Sequence, residues 1–233
     1  MLEKMGAFFD ARLEGYEAHQ LGCIESAQSF YPFTAGCLPR TPGTRLLDLG
    51  CGTGLELGYY FELVPTARVT GVDLAPGMLE ALRRKFPDRA LTLRLGSYFE
   101  LPFGEGTFDA AVSVESLHHF TRAEKTPLYR KLRKALKPGG CFILTDYFAA
   151  SDEEERYCRA ELLRLKKEQN IEDDAFYHFD TPLTVAHETE ALRDAGFASV
   201  TVLNHWGPTY TLKAVSPMAG PELTNRGPTS GTG

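Results

Sequence analysis

Two acids and three glycines carry the first chemical signal in the chain. In "RLLDLGCGTGLELGYYF", Arg45 to Phe61, Asp48 stands two positions before Gly50, and glycines recur at 52 and 54 before a helical pattern opens. Glycine permits a tight turn and lets the backbone approach a ligand closely. The loop lacks the lysine that grips a nucleotide's phosphates in GxxxxGK[ST], and its third glycine falls one position early for the dinucleotide pattern GxGxxG. A carboxylate at 48 repels a pyrophosphate and attracts a cation, such as the ammonium of an amino acid. The N–H groups that open the following helix can receive that amino acid's carboxylate.

The second acid, Asp73, ends "ARVTGVD" about twenty residues further on. In a doubly wound sheet this position lies beside the first loop and accepts hydrogen bonds from ribose hydroxyls. A loop for a zwitterion beside an acid for a ribose describes S-adenosylmethionine.

The elements that must hold these residues alternate. "RLLDL", "ARVTGVD", "LTLRLG", "TFDAAVSV" and "CFILTDYF" read as buried strands. Helices are predicted over Leu55–Leu63, from "APGMLEALRRKF" and over Lys125–Leu136, the last stopped by "KPGG". Strands separated by crossover helices imply a parallel, doubly wound α/β sheet. Before them, apolar residues at Leu2, Met5, Phe8, Phe9, Leu13 and Tyr16 predict one amphipathic helix over 2–20, and a second helix runs through "CIESAQSFYPF". After them come an acidic-to-basic helix capped by Ser151, a helix at "TVAHETEALRDAG", and a closing hairpin of "FASVTVLNHW" with "TYTLKAV".

Composition narrows the class. The 233 residues are 43% hydrophobic and carry a net charge of −6, which disfavours general nucleic-acid binding. Five scattered cysteines form no CxxC pair, so reduced thiols and a cytoplasmic location are expected. No apolar run reaches membrane-spanning length, and no signal peptide or metal-ligand spacing stands out.

The blocks "LLDLGCGTGLE", "VTGVDLAPGML", "GSYFELPFGEGTFDAAVSVESLHHF" and "LRKALKPGGCFILTDY" occur in an order and spacing that resemble the class I S-adenosylmethionine-dependent methyltransferases. The resemblance covers roughly residues 45–148. It implies a Rossmann-like seven-stranded sheet of order 3-2-1-4-5-7-6 with strand 7 antiparallel. Asp48, Gly50, Cys51, Gly52 and Gly54 would then hold the methionine part, and Asp73 the ribose, with Leu74 and Met78 near the adenine. Ser97 and Tyr98 occupy the positions that read the adenine amino group; many members carry Asp where Ser97 stands. Glu115 to His119 would flank the sulfonium and the acceptor. "FFDARLEGYE" is similar to a lid of related enzymes, with Tyr16 either closing over the cofactor or packing the first helix.

The acceptor side is less defined. His118, His119 and Tyr147 are candidate bases, with His19, Tyr177 and His178 as further candidates for substrate contact. The expected organisation is a helical lid over 1–40, a methyltransferase domain over 41–215 with a helical insertion at 151–195, and a disordered tail over 216–233. The expected activity is methyl transfer to a small-molecule acceptor, with S-adenosylhomocysteine as product, by a monomer or homodimer. Two alternatives stay open: a carboxy-S-adenosylmethionine synthase-like enzyme, for which Lys213 is the only base near the hairpin, and a non-catalytic cofactor-binding protein.

Overall fold

Alternation along the strands decides which side chains meet. In β1 (Arg45–Leu49), Leu46 and Asp48 face one side of the sheet while Leu47 and Leu49 face the other. β2 (Arg68–Asp73) and β4 (Phe108–Val114) pair with it in parallel on either hand, β3 (Ala90–Leu95) runs parallel to β2, and β5 (Leu136–Tyr147) runs parallel to β4. β7 (Thr209–Val215) lies antiparallel between β5 and β6 (Ser199–Trp206), which gives the order β3-β2-β1-β4-β5-β7-β6. This is the sheet that the resemblance implied, including its antiparallel seventh strand. The structure is a computed structural model and describes residues 1–219. The tail expected over 216–233 therefore lies outside the described residues beyond 219.

Helices cover both faces, so the central strands are apolar on both sides. α3 (Ala27–Cys37), α4 (Leu55–Leu63) and α5 (Pro76–Lys85) pack Phe30, Tyr60 and Leu82 against Leu46, Val69, Val112 and Ile143. On the opposite face, α6 (Arg122–Ala135) and α8 (Val185–Asp194) pack Leu128, Leu132 and Leu192 against Leu47, Phe142 and Leu144. α7 (Asp152–Glu168) starts at the Ser151 cap, whose hydroxyl accepts from the Glu154 N–H at 3.2 Å.

Three boundaries differ from the sequence expectation. The single helix over 2–20 is two helices, α1 (Met5–Ala11) and α2 (Tyr16–Cys23), parted by Gly15 in the left-handed region at φ 81°. α6 starts at Arg122 because Thr121 and Glu124 form a reciprocal capping box. β5 begins at Leu136 rather than at "CFILTDYF", with an irregular register opposite Phe108 and Ala110.

α6 and α8 are pinned by charge as well as by packing. Lys125 Nζ lies 2.6 Å from Glu188 Oε2, and Tyr129 donates its hydroxyl to the same carboxylate; Lys125 and Glu188 are both fully buried. Removing one partner of a buried pair strands the other, at a cost of about 3–5 kcal/mol. Glu188→Ala is expected to lower the unfolding free energy by about that amount, measured by chemical denaturation. A change within experimental error would mean that water reaches Lys125.

Candidate functional site

The carboxyl ends of β1, β2, β4 and β5 open on one edge of the sheet, where open α/β folds place their ligands. A cavity lies there. Its floor is the glycine loop after β1. Gly50 has φ 72°, and a Cβ there would sit 2.1 Å from Ser116 Oγ, so only glycine fits. Gly52, at φ 47°, faces the Tyr16 hydroxyl, which lies 3.8 Å from where its Cβ would stand.

Asp73 ties this loop to the end of β2. Its Oδ2 accepts from the Gly52 N–H at 2.8 Å and its Oδ1 from the Ala75 N–H at 2.9 Å. Burial raises its pKa against those stabilising hydrogen bonds. Leu74, Met78 and Tyr98 complete the walls, with Ser116 and with Val114, which the sequence did not single out. Glu115 follows β4 with φ 49°, an unusual backbone for a residue with a side chain. Its Oε1 has no partner, and burial together with the Asp146 charge pushes its pKa up to about 8.

The cover comes from the N-terminus. Met5 and Phe9 of α1 and Tyr16 of α2 line the cavity, so Tyr16 stands over the glycine loop rather than merely packing its own helix. Asp10 Oδ1 accepts from the Gly77 N–H at 2.9 Å, which caps α5 from the lid. Lys85 and Glu17 add a bridge of 2.7 Å, and the Met5 N–H donates to the Phe176 carbonyl at 2.9 Å.

Several expected residues lie elsewhere. Asp48 is fully buried beneath the loop beside Glu56 of α4, and does not line the cavity. Both of its oxygens and Oε1 of Glu56 would be orphaned acceptors if both groups were ionised. The two carboxyls are close enough to hydrogen-bond once one is protonated, and burial raises the pKa of both. Cys51 packs under the loop against Gly71, and Gly54 caps α4 against Leu82. Ser97 does not reach the cavity; its Oγ accepts from the Phe99 N–H at 3.1 Å. Tyr147 donates to Glu154 at 3.1 Å, and burial with that carboxylate pushes its pKa up to about 12. Tyr177 turns to Asp173, and His19 is exposed on α2. His178 stacks on Phe8 with ring centroids 3.6 Å apart.

His119 lines the cavity, and His118 lies behind it. His118 Nδ1 is 2.5 Å from Asp146 Oδ1 and its Nε2 is 3.5 Å from Asp180 Oδ1. Burial opposes charge on His118, but Asp146 and Asp180 outweigh it and hold its pKa well above the ordinary value. His119 Nδ1 lies 3.1 Å from the same Asp180 oxygen, while burial and the His118 charge lower its pKa to about 4. Asp180 is the acid of "FYHFDTP", a segment whose composition marks it for the acceptor side although it lies far along the chain from "LHHF". The loop's aromatic, histidine and acid mixture is the signal that points to it.

The comparisons with known proteins agree with this geometry. Residues 47–144 match the family model described as a methyltransferase domain. The demethylmenaquinone methyltransferase of Symbiobacterium thermophilum is 34% identical over 143 residues, 58% of this chain and 55% of that protein. Erythromycin 3''-O-methyltransferase of Saccharopolyspora erythraea is 36% identical over 109 residues, 45% of this chain and 35% of that protein. The chain spans about half the length or less of these curated relatives. In fold it is similar to the [4+2]-cyclase SpnF, with a TM-score of 0.68, 16% identity, and coverage of 91% and 95%.

Residues 47–144 thus match a methyltransferase domain, and the seven-stranded sheet around them has the topology of the class I S-adenosylmethionine-dependent methyltransferases. The protein's cofactor is S-adenosylmethionine. The cavity fits that group: two glycines give close backbone approach, Asp73 and Glu115 offer carboxyls, and neither lysine nor arginine is among the lining residues. No helix among the described residues is long and apolar enough to cross a membrane.

The Asp48–Glu56 pair makes binding depend on pH. A cationic ligand favours the ionised pair, so association releases the shared proton. Cofactor affinity is expected to rise as pH climbs from the ordinary carboxyl range through the raised values of the pair, and Asp48→Asn to flatten that rise. Without ligand the sign reverses: carboxyls raised on folding lend stability below the ordinary carboxyl range and lose it as pH climbs through the raised values. Calorimetric titration across the range measures the binding effect. Equal affinity at both ends would remove the pair from cation recognition.

Proposed function

We propose that the protein transfers the methyl group of S-adenosylmethionine to a small-molecule acceptor by in-line displacement. The observation that carries this reading is the continuity of one cavity from Gly50, Gly52 and Asp73 to His119. The donor's seat and an imidazole–carboxylate cluster thereby share a wall. An acceptor lone pair attacks the methyl carbon, the carbon–sulfur bond breaks, and its electron pair returns to sulfur as the thioether of S-adenosylhomocysteine. A proton lost by the acceptor leaves beside His118, His119 and Asp180. Tyr147 is a weaker candidate, since its hydroxyl is already committed to Glu154.

Alignment alone can contribute about 7–11 kcal/mol to such a displacement. α1 and α2 exclude water over the cofactor, and the element at 151–195 supplies Asp180 to the acceptor side. We assign residues 1–40 to the lid and 41–215 to the catalytic domain on this basis. The names of the relatives, a demethylmenaquinone and an erythromycin methyltransferase, support an organic acceptor of low molecular weight. A carboxylated cofactor would need a cation in the wall, and the lining residues include neither lysine nor arginine.

Incubation with methyl-labelled S-adenosylmethionine and a metabolite extract is expected to give S-adenosylhomocysteine and a labelled small molecule, read by mass spectrometry. Asp73→Ala is expected to weaken cofactor binding at least tenfold, equivalent to about 1.4 kcal/mol. Cofactor binding without S-adenosylhomocysteine from any acceptor pool would favour the non-catalytic reading. Growth of a carboxylated cofactor species would favour the synthase.

A further inference from the structure

We propose that Nε2 of His118, Nδ1 of His119 and Oδ1 of Asp180 form a three-ligand site for a divalent transition-metal ion. The three atoms converge within 4.8 Å of one another. Asp180 Oδ1 lies 3.5 Å from one imidazole nitrogen and 3.1 Å from the other. Charge-assisted hydrogen bonds close to about 2.7–2.9 Å, so the longer separation is poor as a direct bond. Both separations suit neighbouring ligands around one ion with bonds of about 2.0–2.2 Å.

The surroundings orient the ligands as well. Asp146 Oδ1 holds His118 Nδ1 at 2.5 Å, which orients the ring with Nε2 toward Asp180, where an ion would displace the Nε2 proton. Asp146 is itself fixed, because its Oδ2 accepts from the Leu117 N–H at 2.8 Å. A carboxylate behind a ligating imidazole is the arrangement that sets tautomer and basicity at metal centres. His119 Nδ1 also lies 3.2 Å from the Phe179 carbonyl. Without an ion, that nitrogen carries a proton shared with the carbonyl and Asp180; coordination displaces it.

Charge points the same way. Asp146, Asp180 and Glu115 gather around the histidines, and among the described residues the ion pairs of Asp146 and Asp180 are to histidine alone. The cluster needs a positive charge, supplied by a proton on His118 or by an ion. Two imidazoles and one carboxylate suit zinc, cobalt, nickel or ferrous iron better than magnesium or calcium, which prefer oxygen donors. Three protein ligands leave positions open, and the half-exposed Asp180 side chain (51%) leaves a path for entry. Resting on the proposed methyl transfer, an open position beside His119 would take the acceptor's hydroxyl oxygen and ease loss of its proton.

The test is binding, and it stands apart from activity. The full chain, stripped with a chelator, is titrated with Zn²⁺ in a calorimeter and with Co²⁺ in a spectrophotometer. One equivalent of each is expected to bind, with visible cobalt absorption. Asp180→Asn and His119→Gln are each expected to weaken binding by about tenfold or more, while His19→Ala leaves it unchanged. Far-UV circular dichroism and cooperative thermal unfolding in the absence of metal establish that the variants fold. Absence of stoichiometric uptake by the wild type, or equal uptake by both variants, overturns the site. Methyl transfer by metal-free protein with no uptake would leave the proposed function standing and remove this inference alone.

Discussion

The carboxylate of Asp73 is the joint on which the site depends. It belongs to β2, yet one oxygen holds the N–H of Gly52 in the loop after β1, and the other holds Ala75 at the head of α5. Two loops from adjacent parallel strands are thereby fixed to one side chain, with backbone N–H donors that cannot wander. Gly50, anchored through its N–H to the Val72 carbonyl at 2.8 Å, extends the same tie. The Tyr16 lid, the Asp10 cap on α5 and the apolar wall of Met78 are all positioned relative to this junction.

Burial of acid is the second organising constraint. Asp48, Glu56, Asp73 and Glu115 all lie in or under the cavity wall, and burial raises the pKa of each. Burial disfavours the ionised form of each, and a cationic ligand beside them favours it again. The residues lining the cavity include neither lysine nor arginine, which disfavours a phosphate.

Much of this is legible in the amino-acid sequence, for identifiable physical reasons. The alternation of strands and helices, the glycine loop and Asp73 rest on local patterns, whereas the strand order came with the family resemblance. The features that stay hidden depend on long-range contact. Asp48 reads as a ligand-facing acid, but alternation sends it beneath the loop toward Glu56 rather than into the cavity. Ser97 holds a plausible position and spends its hydroxyl on its own turn. Gly15 divides an otherwise periodic helix, because a left-handed residue cannot continue one. Asp180 joins His118 and His119 only when the loop before α8 folds back, and no spacing rule reports that.

The pairing of the N-terminal segment with residues 176–178 has a consequence for motion. The His178 N–H donates to the Glu3 carbonyl at 3.0 Å, the Met5 N–H donates to the Phe176 carbonyl, and Lys4 and Tyr177 form an antiparallel bridge. The roof of the donor's seat and the loop bearing Asp180 are therefore stitched edge to edge. Neither can swing away without unzipping from the other or dragging it along. Whatever steadies Asp180 therefore also steadies the N-terminal segment over the cavity, and the two move as one.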